Sequence, residues 1–245
     1  MLIRNGKIIH PALYCRYYPF YPLYFYPRYP YEYKKPVKLY KYCERIFMEA
    51  LLERGSLRIG TLYEYKQIED FGDETYDPNE GLKRVSGDIE PGRRPTSLLP
   101  LIDVGNASGG YIRNCSYQLP DQLVFSTSLK YSEDAHRKWF EKSGYDACYE
   151  ILNASAFFAS VNRAVREKYG NDYRYEYYHE VDYRDEIGIY EPSVKLGRHL
   201  KGKKFVHQAE VRAIWIPTRN IDLKGFVLDH SSAGTVCRGF RVISP

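Results

Sequence analysis

Three hydroxyls close the run Val124-Phe125-Ser126-Thr127-Ser128, just before a charged and polar stretch. Ser and Thr at the end of an apolar strand either finish a turn or hold something polar, such as a sugar. Further along, His207-Gln208-Ala209-Glu210-Val211-Arg212 opens the strongest strand signal in the chain, 203–217. Read as one strand, alternation puts Gln208 and Glu210 on a common face, roughly 7 Å apart by strand rise. Near the start, Leu39-Tyr40-Lys41-Tyr42 offers a basic residue among aromatics on a short strand, with Arg58 as a competing cation. A lone strand glutamate ordinarily pairs a neighbouring arginine at a solvated face. What lifts Glu210 above that reading is the presence of all three elements in one chain.

The elements that must position these groups follow from periodicity. Ile46, Phe47, Ala50 and Leu51 recur at helical spacing and Gly55 stands where a helix C-cap belongs. Leu57, Ile59 and Thr61 alternate as a strand that Leu62 and Tyr63 extend. Ser132 followed by Glu133 and Asp134 starts a helix, and Asn153 or Ser155 caps a second one with Phe157, Phe158, Val161, Ala164 and Val165 as its buried stripe. Strands are expected at 145–151, 173–183, 203–217 and in GFVLDH and GFRVIS. The fold class is therefore α+β: several mostly antiparallel strands with two or three helices interspersed.

Residues 1–36 differ from the rest. Pro and Tyr crowd this stretch, excluding helix and central strand, so an extended or disordered arm is expected, with a single catalytic-type α+β domain over 37–245. Tyrosines number 26 and the net charge is +5, compatible with a polyanionic partner or a phosphorylated cofactor. The 70–122 stretch is dense in turn signals and reads as a long irregular excursion carrying the acidic residues Asp70, Asp73, Glu74, Asp77 and Glu80. Five scattered cysteines without a CxxC pair point to reduced thiols in a cytoplasmic protein, and no apolar run approaches a membrane span. His136 reads as a helix-surface residue and His207 as a strand-face one.

In this order, the Lys41 strand, the Ser126-Thr127-Ser128 strand and the Gln208-x-Glu210 strand resemble the mono-ADP-ribosyltransferase toxin superfamily. ALLERGSLRIG (50–60) is similar to the helix that follows the first motif in its diphtheria-like and poly-ADP-ribose branches. The same stretch, with YDPNEG and the E-V-R strand, also resembles an uncharacterised group of bacterial and phage domains linked to defence. The resemblance implies a split β-sheet core, NAD as substrate and ADP-ribosyl transfer to a macromolecular acceptor, a protein amide or a nucleic-acid base, with an antitoxin or chaperone as a further partner. It implies Glu210 and Gln208 as the catalytic pair, Glu210 offsetting the oxocarbenium charge on the ribose and Gln208 placing the acceptor. Lys41, Tyr42, Arg58, Tyr63 (or Tyr65), Ser126, Thr127 and Ser128 would bind the cofactor. Glu210→Gln is then expected to abolish NAD consumption and leave the fold intact.

Two other classes remain open on the residues alone. A nucleic-acid-binding module would use the Tyr/Pro/Lys arm, the 201–204 KGKK run and Arg93-Arg94. A metal-dependent nuclease would gather Asp77, Glu80 and Glu210 around a divalent ion.

Overall fold

A computed structural model of the protein describes residues 2–4, 7–9, 38–66, 81–90, 110–185, 187–188, 197–229 and 231–243. The Tyr/Pro-rich stretch from 10 to 37 and the acidic cluster at 70–80 lie outside them. In chain order the elements are β1 (Leu2–Arg4), β2 (Lys7–Ile9), β3 (Leu39–Cys43), α1 (Arg45–Arg54), β4 (Ser56–Thr61), β5 (Leu82–Ile89), β6 (Gly110–Gln118) and β7 (Leu123–Ser128). They continue with α2 (Glu133–Ser143), β8 (Ala147–Ile151), α3 (Ala154–Tyr169), β9 (Tyr173–Glu180), β10 (Asp182–Tyr183), β11 (Ile187–Gly188) and β12 (Leu200–Lys201). Last come β13 (Glu210–Pro217), β14 (Phe226–Asp229), the single turn α4 (Ser231–Gly234) and β15 (Cys237–Val242). The class is α+β, as the periodicities predict.

The chain falls into two compact units. One combines 1–34, 84–117 and 186–194, and holds the β1–β2 hairpin and a sheet ordered β11-β5-β6. The expected irregular excursion at 70–122 therefore contains two strands, β5 and β6. Repeated Gly, Pro and Asp turn signals there mask them from a periodicity reading. The other unit, 35–83, 118–185 and 195–245, carries Lys41, Tyr42, Arg58, Tyr63, Ser126, Thr127, Ser128, Gln208 and Glu210.

That second unit is built on an eight-stranded sheet ordered β14-β4-β7-β3-β8-β15, with β13 joined to β7 and β9. Every pairing in it is antiparallel. β7 is its pivot. One edge of β7 runs along β13 for its whole length. The other edge is shared: Leu123 and Val124 pair Thr61 and Gly60 of β4, whereas Ser128 pairs Tyr40 of β3. Between those pairings, at 125–127, β3 and β4 part company and the sheet forks.

Strand parity sorts the two faces of this sheet. Phe125, Val211, Ala213 and Trp215 turn to one side, where α3 buries Phe157, Phe158, Val161 and Val165 and α1 buries Met48 and Leu51. Each such large side chain contributes about 1.5–3 kcal/mol by leaving water. The α3 stripe matches expectation. The α1 stripe does not: Ile46 and Phe47 are exposed and Met48 joins Leu51 in the core. Gly55 accepts the left-handed conformation (φ 67°) that ends α1 and hands the chain to β4. Gly234 has a tighter reason: a Cβ there would sit 2.4 Å from the Leu51 carbonyl oxygen.

His136 is fully buried rather than on the helix surface, its Nδ1 3.3 Å from the Tyr131 hydroxyl and its ring against Tyr42. Burial lowers its pKa from the ordinary value. Cys43 and Cys148 are buried thiols, the first pushed up to about 12, which leaves them unreactive. No helix among the described residues is long and apolar enough to cross a membrane.

Candidate functional site

On the face opposite the main core, the register sets Arg212 beside Ser126 and Glu210 beside Ser128. Below them, Val124 and Ile214 pack with Leu62 as a small apolar floor. The approach to Glu210 differs from the sequence reading. Residues 203–208 form a 3-10 helix instead of continuing the strand, and Ala209 takes φ 44°, ψ 48°. A non-glycine residue in the left-handed region costs of order 1 kcal/mol and marks a connection held in place by its surroundings. Here Leu129 N–H donates to the Ala209 carbonyl, and Glu210 N–H to the Tyr183 hydroxyl at 2.6 Å. His207 consequently sits in that 3-10 turn, its Nδ1 3.1 Å from the Lys204 carbonyl oxygen.

The kink destroys the strand alternation but still brings Gln208 and Glu210 together, through a third residue. Lys201 Nζ donates to Gln208 Oε1 at 2.9 Å and to Glu210 Oε2 at 3.1 Å. Arg212 engages both Glu210 oxygens, Nε at 2.7 Å and Nη2 at 3.2 Å, while its Nη1 donates to the Arg198 carbonyl. Arg198 in turn pairs Glu176 at 2.9 Å. Glu210 is only 6% exposed. Burial alone would raise its carboxyl pKa, but Arg212 and Lys201 outweigh that and hold it well below the ordinary carboxylate range. It is an anion at any physiological pH.

Ser126 is the member of the hydroxyl triplet that reaches this cluster. Its Oγ is out of water and completes no hydrogen bond of ordinary geometry among the described residues. It nevertheless lies near enough to Glu210 and to the Tyr65 phenol to favour their anionic forms. The hydroxyl thus stands between the Glu210 carboxylate and the Tyr65 phenol. Thr127 faces the other way, its Oγ1 donating to the Val211 carbonyl at 3.1 Å and so tying β7 to β13. Ser128 is buried between its register partners Glu210 and Tyr40.

Lys41 shares its strand parity with Leu39 and Cys43, and its ammonium lies 5.2 Å from the Phe125 ring centre, at the fork. It feels both the Glu210 carboxylate and the Arg58 guanidinium, and desolvation lowers its pKa. Lys41 and Tyr65 are each partly exposed. Arg58, on the edge of the same region, pairs Glu64 at 3.0 Å, and Glu64 also accepts from the Gly225 amide. Glu210, Gln208, Ser126 and Ser128 therefore gather about the fork with Arg58 at its edge, while Lys41 approaches it from the core-facing side of β3.

Two sequence candidates stand apart. Tyr63 donates its hydroxyl to the Leu119 carbonyl at 2.6 Å and lies under Lys66, so Tyr65 is the tyrosine of that pair within reach. Tyr42 is buried against α2, its oxygen accepting from the Ser132 amide at 2.9 Å. Sequence reasoning missed Lys201 and Arg198 as members of the cluster. KGKK registers only as surface charge, and nothing local reports that one of its lysines turns inward. Among the described residues no group of three or more His, Cys, Asp or Glu is placed to hold a metal ion.

Comparisons of the chain with protein-family models, with curated proteins and with solved structures return no match.

Proposed function

We propose that the protein binds NAD in a recess at the fork and transfers its ADP-ribose to a macromolecular acceptor. The observation that carries this reading is a buried, ionised Glu210 beside the hydroxyl of Ser126, at the point where β3 and β4 separate.

The reaction breaks the bond between the ribose anomeric carbon and the nicotinamide nitrogen. The bonding pair leaves with nicotinamide, and the sugar becomes oxocarbenium-like. A fixed carboxylate next to that carbon lowers the barrier electrostatically, the logic of glycoside cleavage. A carboxylate offers about four lone-pair positions. Arg212 and Lys201 occupy three of them, and the remaining one, beside Ser126, is the position a ribose 2′-hydroxyl would share with that side chain. Ser126 orients the same sugar. Lys41 and Arg58 supply positive charge for the pyrophosphate, and the open side of Tyr65 suits a nicotinamide ring. Gln208, fixed by Lys201, presents its amide to the incoming acceptor, which supplies the nucleophile and gives up a proton.

One observation favours a second reading. Two cations share the single Glu210 charge, which suits a module that holds a nucleotide without cleaving it. Nicotinamide release and NAD binding, measured together, separate the two. Glu210→Gln is expected to lower release by about 10²–10³. Contrary to the sequence expectation, this substitution costs stability, since it strands Lys201 and Arg212 without their anion. Rates are therefore compared at a temperature where both proteins are folded by circular dichroism. NAD bound by the natural protein without nicotinamide release supports the module. Unbound NAD removes both readings.

A further inference from the structure

The face that carries Glu210 continues across the sheet. Register sets Ser128 beside Glu210, Tyr40 beside Ser128, Glu150 beside Tyr40 and Arg238 beside Glu150. These five side chains cross five strands on one side of the sheet. At the far edge β15 departs from regularity. Arg238 pairs Glu150 and Arg241 pairs Cys148, with a register shift between Gly239 and Arg241. Three residues of β15 thus span two of β8, and the bulge turns both arginines to the same side.

Phe240, inside that bulge, lays its ring against Tyr40 at 5.2 Å and Tyr131 at 5.0 Å while staying 39% exposed. Beside them Tyr131 and Trp139 flank Tyr42, and Trp139 stacks on Tyr145. The cations on this shelf remain in solvent. Lys38 and Arg238 are 54% and 58% exposed, and both lean on the nearly inaccessible Glu150. Arg241 is exposed beside Tyr131, and exposed Lys130 adjoins it in the chain. Carboxylates near them include Glu150, Glu133 and Asp146, against the four cations Lys38, Lys130, Arg238 and Arg241.

We propose that this shelf binds single-stranded nucleic acid, with bases on Phe240, Tyr131 and Tyr40 and phosphates on Arg241, Arg238 and Lys38, and leads it toward the recess. Partly exposed rings interleaved with exposed cations fit a strand whose bases are unpaired. Every base has a face to stack, and every nucleotide brings a phosphate. A folded protein partner would need a deeper apolar patch than three ring edges provide. As a binding surface the shelf stands on its own geometry; as the site of the acceptor it rests on the transferase reading.

The test uses the full chain, without NAD, and a fluorescein-labelled oligonucleotide of about twelve nucleotides, as DNA and as RNA, across about 50 to 200 mM salt. Binding is expected to weaken with a log–log slope of roughly −2 to −3, from three or four phosphate contacts. Phe240→Ala is expected to weaken it about tenfold or more, and Arg241→Gln to flatten the slope by about 0.7. The proposal is overturned if the folded natural protein binds neither oligonucleotide at low salt, or if Phe240→Ala binds as tightly. Equal competition by a polyglutamate peptide of the same charge overturns it too. Nicotinamide release by the same preparations separates the two ideas. Oligonucleotide binding without release refutes the transferase alone, and release without binding refutes the shelf alone.

Discussion

Arg212→Met is the perturbation that most directly probes the buried cluster. The guanidinium makes two bonds to Glu210, at 2.7 and 3.2 Å, and one to the Arg198 carbonyl at 2.8 Å, from a residue fully shielded from water. At an effective dielectric of about 20, opposite charges about 4 Å apart attract by about 4 kcal/mol. Stranding one member of a buried pair costs about 3–5 kcal/mol. Methionine fills similar space and returns part of this by apolar burial, leaving a net loss of about 3 kcal/mol. For a unit of this size that is a fall in Tm of about 6–12 °C. Thermal or urea unfolding followed by circular dichroism at pH 7 measures it.

The pH dependence gives a second reading of the same substitution. Glu210 is more acidic folded than unfolded. Its stabilisation is therefore complete above the ordinary glutamate value near 4.3 and is lost as pH falls through the folded value. Without Arg212 the folded value moves back toward the ordinary one, so the variant has less to lose on acidification. The gap between the two proteins should hold from pH 7 to about pH 5 and narrow only below about pH 4. Glu210→Gln combined with Arg212→Met should lie closer to the natural protein than the sum of the single losses. A loss under about 1 kcal/mol at pH 7, or a gap indifferent to pH, would refute the ion-pair account.

Two further outcomes follow from the recess. Ser126→Ala should change stability by less than about 1 kcal/mol, because the hydroxyl completes no bond, yet slow nicotinamide release at least about tenfold; denaturant unfolding beside a release assay checks both. Lys41→Met should stabilise the fold by about 1 kcal/mol while weakening NAD binding, read by unfolding and by calorimetric titration. Its sign follows from desolvation: the folded state holds this proton less tightly, so the ammonium costs stability at neutral pH. That cost fades as pH rises through the folded value toward the ordinary 10.4, so the advantage of methionine should shrink in alkali.

How far the sequence foretold all this depended on the range of the interactions involved. Gly55, Ser132 and Asn153 are legible because a cap acts within its own turn. The α3 stripe is legible because one face of that helix is buried along its length. The α1 stripe misleads because Ile46 and Phe47 are apolar yet exposed, and hydropathy does not say which side of a short helix the sheet will meet. The kink at Ala209 is invisible to alternation, since the chain leaves the strand only where Tyr183 and Leu129 hold it from distant positions. Lys201 reads as solvated charge until Gln208 and Glu210 close over it. The β15 bulge likewise needs β8 beside it to exist.

The fork in the sheet has a mechanical corollary. β4 with β14, and β3 with β8 and β15, meet along β7 as two arms hinged on a common strand. Behind that hinge, α1 lies across both arms, packing on β4, β8 and β15. The jaw opening in front is consequently gauged from the back of the molecule. Swapping the bulk of Met48 or Leu51 is therefore expected to shift the two arms against each other from behind.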